Sequence, residues 1–297
     1  MHFKRASAMP RLVLLLVGLS LVLPAPARAD EHPLLVEPGW LHARLEEQAL
    51  RIVDMASDPR TYRAGHIRGA VYLGLRELMP PAPPAGSRAL DAEEASQLLG
   101  RLGIGEGTHV VIYDDAGGLH ASRFFFTLEL FGHRKASILN GGLAAWRRGD
   151  FALVTELPQV TPTASRATLK PERLAGAEWI LARLKDPAVV LVDARSPEEY
   201  RGVQVLAKRG GHIPGAVNIE WRRHLRRDGT FRPVEELRAL YTGQGITPDR
   251  AVVSYCQTFH RSAHTYFVLR LLGYPRVAGY DRSWAEWGNR DDLPVAR

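Results

Sequence analysis

The chain holds a single cysteine, Cys256, in a setting where a reactive thiol can be built. The run Val252-Val253-Ser254-Tyr255-Cys256-Gln257-Thr258-Phe259-His260-Arg261-Ser262 reads as a short apolar strand, a tight loop and a helix start. Tyr266, Phe267, Leu269, Leu271 and Leu272 follow at largely helical spacing until Gly273. Backbone N–H groups of such a loop curl around one point above the helix N-terminus. The free amides, the helix dipole and Arg261 make that point electropositive. It favours a thiolate, the reactive form of cysteine, and would equally hold an anionic sulfur group carried on it. A buried structural cysteine is the plain alternative. The strand–Cys–loop–helix setting points instead to a nucleophile.

The elements that position this loop occur twice. Ile52-Val53-Asp54 followed by Gly65-His66-Ile67-Arg68-Gly69-Ala70-Val71 returns as Leu191-Val192-Asp193 followed by Gly211-His212-Ile213-Pro214-Gly215-Ala216-Val217. The strand His109-Val110-Val111-Ile112-Tyr113 returns as Ala251-Val252-Val253-Ser254-Tyr255, and Trp146 answers to Trp287. Periodicity predicts helices over 93–102, 120–131 and 141–148 in the first half. In the second it predicts 178–184, 234–241, 262–272 and 283–287. Strands alternating with helices imply an α/β fold: two tandem domains, each a mainly parallel sheet flanked by helices on both faces. Ligands of such sheets bind beyond the carboxyl ends of the strands, where Cys256 lies. Where the second half has Cys256 the first has Asp114, which cannot carry a transferable sulfur atom. The first domain is therefore expected to be inactive and to wall one side of the cleft.

Lys4, Arg5 and Arg11, an apolar run over 12–23 and Ala27-Arg28-Ala29 form a secretory signal peptide over 1–29, cut near Ala29-Asp30. The expected location is periplasmic or secreted, with no membrane attachment after cleavage. Removing residues 1–29 lowers the net charge from +7 to +3, which gives no reason to invoke nucleic acid. The basic run Trp221-Arg222-Arg223-His224-Leu225-Arg226-Arg227 is a solvated face or a lure for anions. A first domain over 34–154, a Pro-, Thr- and Ser-rich linker over 155–174 and a catalytic domain over 175–295 complete the division. Residues 79–86, rich in proline, read as a surface loop of the first domain. The lone cysteine excludes an internal disulfide.

These motifs, together with Leu191-Val192-Asp193-Ala194-Arg195-Ser196-Pro197-Glu198-Glu199-Tyr200, Tyr280-Asp281-Arg282-Ser283-Trp284 and Leu139-Asn140-Gly141-Gly142, resemble the tandem-domain rhodanese family of sulfurtransferases. The resemblance implies that Cys256 takes sulfane sulfur from thiosulfate or 3-mercaptopyruvate as a persulfide. It then gives that sulfur to cyanide or another thiophilic acceptor, with no metal or organic cofactor. It also implies that Arg195 faces the loop and binds the donor anion. Asp193 orients the loop, and His212 and Pro214 shape a turn. The loop Gln257, Thr258, Phe259, His260 and Ser262 departs from the usual patterns: Phe259 is expected to narrow the pocket and Arg261 to supply the anion-binding charge. Arg282, where the family usually has glycine, has no assigned role. His260 and His264 lack a third ligand for a metal. Two other readings use the same thiol. A non-catalytic persulfide carrier or redox sensor would label once and stop. A phosphatase wants Cys-x5-Arg, whereas Cys256 and Arg261 give Cys-x4-Arg.

Overall fold

The computed structural model describes residues 33–297, with His2 alone before them, so the signal peptide expected over 1–29 lies outside the described residues. The first half runs β1 (Leu35–Val36), α1 (Pro38–His42), β2 (Leu50–Asp54), α2 (Pro59–Ala64), β3 (Ala70–Tyr72), α3 (Ala92–Arg101), β4 (His109–Tyr113), α4 (Leu119–Leu130), β5 (Ala136–Leu139) and α5 (Gly142–Arg148). The second runs α6 (Ala177–Leu181), β6 (Val189–Asp193), α7 (Pro197–Tyr200), β7 (Val217–Asn218), α8 (Val234–Thr242), β8 (Ala251–Tyr255), α9 (Arg261–Leu271), β9 (Val277–Gly279) and α10 (Ser283–Trp287). Short 3-10 turns occupy Leu75–Leu78, Pro171–Arg173 and Trp221–His224. The helices α1, α2 and α7 escape periodicity because each is little more than one turn; each starts on a proline whose fixed φ suits a first helical position.

Both sheets are parallel, ordered β1-β5-β4-β2-β3 and β7-β6-β8-β9. Register places Asp54 beside Tyr113 in one sheet and Asp193 beside Tyr255 in the other. The carboxyl ends of the two central strands therefore meet at Asp54 and Asp114 in the first half, and at Asp193 and Cys256 in the second.

Alternate strand residues face opposite sides, the period that separates the cores. Val53, Val110 and Ile112 join Val190, Val192 and Val252 in one apolar core shared by the halves. Ile52, Val111 and Tyr113 face a second core around Trp146, while Leu191, Val253 and Tyr255 face a third around Trp284 and Trp287. Helices α4 and α9 meet in the shared core, with Phe125 edge-on to Phe267 at 4.9 Å and Phe126 to Tyr266 at 5.0 Å. Both helices are buried over most of their surface, which suits elements packed from two sides. The buried Arg123 side chain pairs with Asp281 across this interface at 2.7 Å, and Glu129 accepts from Tyr266 at 2.6 Å.

The segment over 155–174 runs along the first half. Thr163 N–H bonds Gly100 O, Ala167 N–H bonds Ser96 Oγ and Lys170 N–H bonds Leu130 O. Leu174 then bridges to Gly279 at the edge of the second sheet. The proline-rich loop also touches the second half, because the Arg282 guanidinium donates to Ala82 O and Ala85 O, both at 3.3 Å. That contact gives Arg282 its role: it ties the two halves together beside the Cys256 loop.

Candidate active site

Strand β8 delivers Cys256 to the end of the sheet, where it is 1% exposed and clusters with Ala194 and Trp221. The start of α10 braces the loop from behind. Ser283 sits at φ 50, and its Oγ accepts from the N–H of Cys256 at 3.2 Å and of Phe259 at 3.1 Å while donating to Tyr280 O at 2.7 Å. Trp284 N–H bonds Cys256 O and Ala285 N–H bonds Gln257 O. The Gln257 side chain donates to Leu206 O at 3.0 Å. Sequence reading missed Ser283, although the repeat sets it opposite Gly142, whose φ of 54 it shares.

Phe259 does not narrow the pocket. It is fully buried, its ring edge-on to Phe126 at 4.5 Å with the Arg123 guanidinium 5.3 Å away. The ring lies so close to Gly279 that a Cβ there would stand 2.1 Å from it. A phenylalanine in the loop thus serves as its anchor in the shared core. The residue also holds φ at 57, a left-handed conformation that a large side chain adopts only when its surroundings enforce it.

The first half shows what this backbone path can hold. Asp114 Oδ1 accepts from the N–H of Ala116 and Gly118, both at 2.9 Å, and its Oδ2 from His120 at 2.8 Å and Ala121 at 3.0 Å. By the repeat those donors correspond to Thr258, His260, Ser262 and Ala263. Among the described residues, none accepts a hydrogen bond from these four N–H groups. Gly117, at φ 70, stands where Phe259 stands. The second loop is therefore a cradle of the same build whose donors remain unpaired, with a sulfur atom at its base.

Arg261 and Arg195 each have a carboxylate partner. Arg261 pairs bidentately with Glu199 at 2.5 and 2.8 Å, with side-chain exposures of 23% and 4%. Burial works against the Arg261 charge, but the Glu199 bonds and the neighbouring Cys256 outweigh it and raise its pKa. Burial likewise opposes the Glu199 charge, and Arg261 overcomes it, holding that carboxyl below its usual range. Arg195, expected to bind the donor anion, is held within the fold. It is 1% exposed, donates to Asp193 Oδ2 at 2.6 Å and Gly211 O at 2.7 Å, and lies over the Trp284 ring at 4.5 Å. Asp193 holds the Arg195 guanidinium. The short sequence distance of Asp-x-Arg gave no sign that the two would be buried against each other.

The histidines take separate paths. His212 Nδ1 lies 2.9 Å from Tyr200 O, and His66 repeats the arrangement with Tyr62 O, as turn-shaping residues should. His260 faces His120 of the first half at 5.0 Å; burial, reinforced by His120 and Arg123, pushes its pKa down to about 3. His264, pushed down to about 4 by burial, meets His224 between Nδ1 atoms at 3.1 Å and Gly117 O through Nε2 at 3.2 Å. Since a carbonyl only accepts, His264 carries its proton on Nε2, His224 donates from Nδ1, and Tyr241 O–H donates to His224 Nε2 at 2.8 Å. This neutral chain ties the first turn of α9 to the Asp114 loop.

Residues 37–148 and 176–290 each match the rhodanese-like domain. The chain belongs to the rhodanese-like family. A thiosulfate sulfurtransferase of Azotobacter vinelandii is 42% identical over 89% of this chain and 97% of its own length. A protein of the same name from Pseudomonas aeruginosa is 40% identical over the same shares, and a sulfur carrier protein of Thermus thermophilus 38% identical over 90% and 98%. Among solved structures, the anaerobic ergothioneine biosynthesis enzyme of Chlorobium limicola, bound to trimethyl histidine, superposes with a TM-score of 0.80 at 27% identity. That match covers 88% of this chain and 69% of that one. As a member of this rhodanese-like family, the protein is a sulfurtransferase.

Proposed function

We propose that Cys256 carries the transferred sulfur as a persulfide, taken from a small anionic donor, with thiosulfate ahead of 3-mercaptopyruvate. The Cys256 thiolate attacks the outer sulfur of thiosulfate, the S–S bond breaks, and sulfite leaves with the bonding pair. Cyanide or an acceptor thiolate then attacks the outer persulfide sulfur and the Cys256 thiolate is released. The observation that carries this reading is the loop's unpaired N–H groups, laid out like those that enclose the Asp114 carboxylate. Donors fixed in place before the charge arrives stabilise a terminal persulfide anion without reorganisation. The ion-paired Arg261 sets one wall of this cradle and adds its field to it. The first half, with Asp114 in the cradle, carries no sulfur. The names of the Azotobacter and Pseudomonas relatives support thiosulfate as donor.

Intact mass after incubation with each donor tests the reading. One added sulfur on Cys256, removed by cyanide with release of thiocyanate over many turnovers, is the expected result. Labelling that stops after one round would replace the enzyme with a carrier, and no gain from either donor would remove both donors. The basic start, apolar run and Ala27-Arg28-Ala29 support export to the periplasm or beyond. N-terminal sequencing of the native protein should begin at Asp30; an intact residue 1–29 segment would overturn export by cleavage.

A further inference from the structure

The two 3-10 turns that the repeat sets opposite each other differ in charge. Leu75–Leu78 carries Arg76 and Glu77, and the latter pairs with Arg101. Trp221–His224 carries Arg222 and Arg223, and Arg226 and Arg227 follow directly, so that Arg223 stands where the first half has Glu77. The turn is held at the thiol: Trp221 N–H bonds Ala194 O, and its ring belongs to the small cluster that includes Cys256, against which Leu225 also packs. Trp221 and Leu225 face inward while Arg222, Arg223, Arg226 and Arg227 are exposed. Arg222 pairs with Glu220 at 3.2 Å, and Asp228 lies 3.8 Å from Arg148. Among the described residues, Arg223, Arg226 and Arg227 form no ion pair.

This charge stands in contrast to the cleft itself. The buried Arg195 and the partly buried Arg261 are paired with Asp193 and Glu199. An anion approaching Cys256 by way of this turn thus passes surface arginines that form no ion pair before it reaches the ion-paired Arg261. We infer that Arg223, Arg226 and Arg227 form a steering collar that raises the encounter rate of small anions with Cys256, selecting anionic over neutral reactants before any contact with the loop. Unpaired surface charges beside a cleft act in this way over a Debye length, about 10 Å at 0.1 M salt. The inference rests on the proposed donor class but can be tested apart from it.

Alkylation of Cys256 by iodoacetate, an anion, is compared with alkylation by neutral iodoacetamide; in each the thiolate displaces iodide and keeps the carbon fragment. In the full chain carrying Arg223→Glu, Arg226→Glu and Arg227→Glu, the iodoacetate rate should fall roughly tenfold at low ionic strength and below about twofold near 0.3 M salt. The iodoacetamide rate should hold. An unchanged iodoacetate rate, or an equal fall for both reagents, overturns the collar. If the triple variant fails to fold, the wild-type ratio of the two rates decides: it must drop as salt rises, and a flat ratio refutes the inference. Persulfide formation from thiosulfate should follow the iodoacetate pattern. Steered alkylation without persulfide formation would remove the proposed donor and leave the collar standing.

Discussion

The Asp114 corner and the Cys256 corner follow the same path, from a central strand through a short loop into a helix that enters the shared core, and differ in the group at the centre. In the first, a carboxylate collects four N–H donors at 2.8–3.0 Å and the site is closed by its own side chain. In the second, a thiol leaves the corresponding donors unpaired. The strand ends beside them differ in the same sense. Asp193 and Asp54 both accept the N–H two residues on, at 2.9 and 2.7 Å, but that residue is Arg195 in one half and Ala56 in the other. An anion built into the chain makes a cradle structural; leaving it out makes the cradle available to a substrate.

Substitutions at four positions break or sharpen this comparison. The largest effect belongs to Cys256→Asp, which makes the second corner chemically like the first. Sulfur transfer should fall at least about a thousandfold, as for loss of a nucleophile, while thermal melting stays at or above the wild-type temperature. Cys256→Ser should lose activity equally without that gain, and residual turnover in either variant would move the chemistry away from this residue. Next comes Phe259→Ala, which removes the anchor that Gly117 replaces in the first corner. Denaturant titration should show a loss of about 3–5 kcal/mol, typical of deleting a buried aromatic ring. A loss below about 1 kcal/mol would mean that the ring is not what holds the loop.

Asp54→Asn tests the missing arginine. Burial pushes the Asp54 carboxyl up to about 6 from a normal value of 3.8. A raised carboxylate pKa means the native state holds the proton after the unfolded chain has released it, so stability declines as pH rises from about 4 to about 6. The decline amounts to about 3 kcal/mol and persists above that range. The asparagine variant should lack that portion of the pH dependence; an identical slope would show Asp54 to be silent. Ser283→Ala is the mildest of the four. It removes the acceptor for the Cys256 and Phe259 N–H groups, for about 2 kcal/mol of stability and roughly a tenfold fall in transfer rate. An activity loss with no stability change would make Ser283 part of the chemistry instead of the brace.

Arg261→Ala is a poor probe of donor binding, because it strands the buried Glu199 carboxylate and destabilises the fold by about 3–5 kcal/mol. Arg261→Lys keeps the charge and is the variant to compare.

Long amphipathic segments such as α3 and α8 were legible because their burial follows helical spacing, and α9 because a Gly ended it. The one-turn helices α1, α2 and α7 have no period to read. Cys256 was legible through its uniqueness and its place after a β-branched strand. Ser283 was not, since a serine opposite a glycine in a repeat says nothing until its left-handed backbone aims the hydroxyl at two amides. Arg195 and Phe259 were suggested for the site by type and position, while the fold engages both side chains elsewhere, Arg195 with Asp193 and Gly211 and Phe259 with Phe126 of the first half.

The order of types along this chain determined the duplicated α/β architecture, the parallel sheets and the single thiol at a strand's carboxyl end, because periodicity and backbone preference are local properties. Tertiary structure alone decided which charges cancel, which amides stay unpaired and where the loop's phenylalanine goes. Those outcomes depend on neighbours far apart in the chain, such as Phe126 of the first half against Phe259 of the second, and Glu199 against Arg261 within the second. Electrostatic and packing energies fall off over a few ångströms of space, and no spacing in the sequence records that distance.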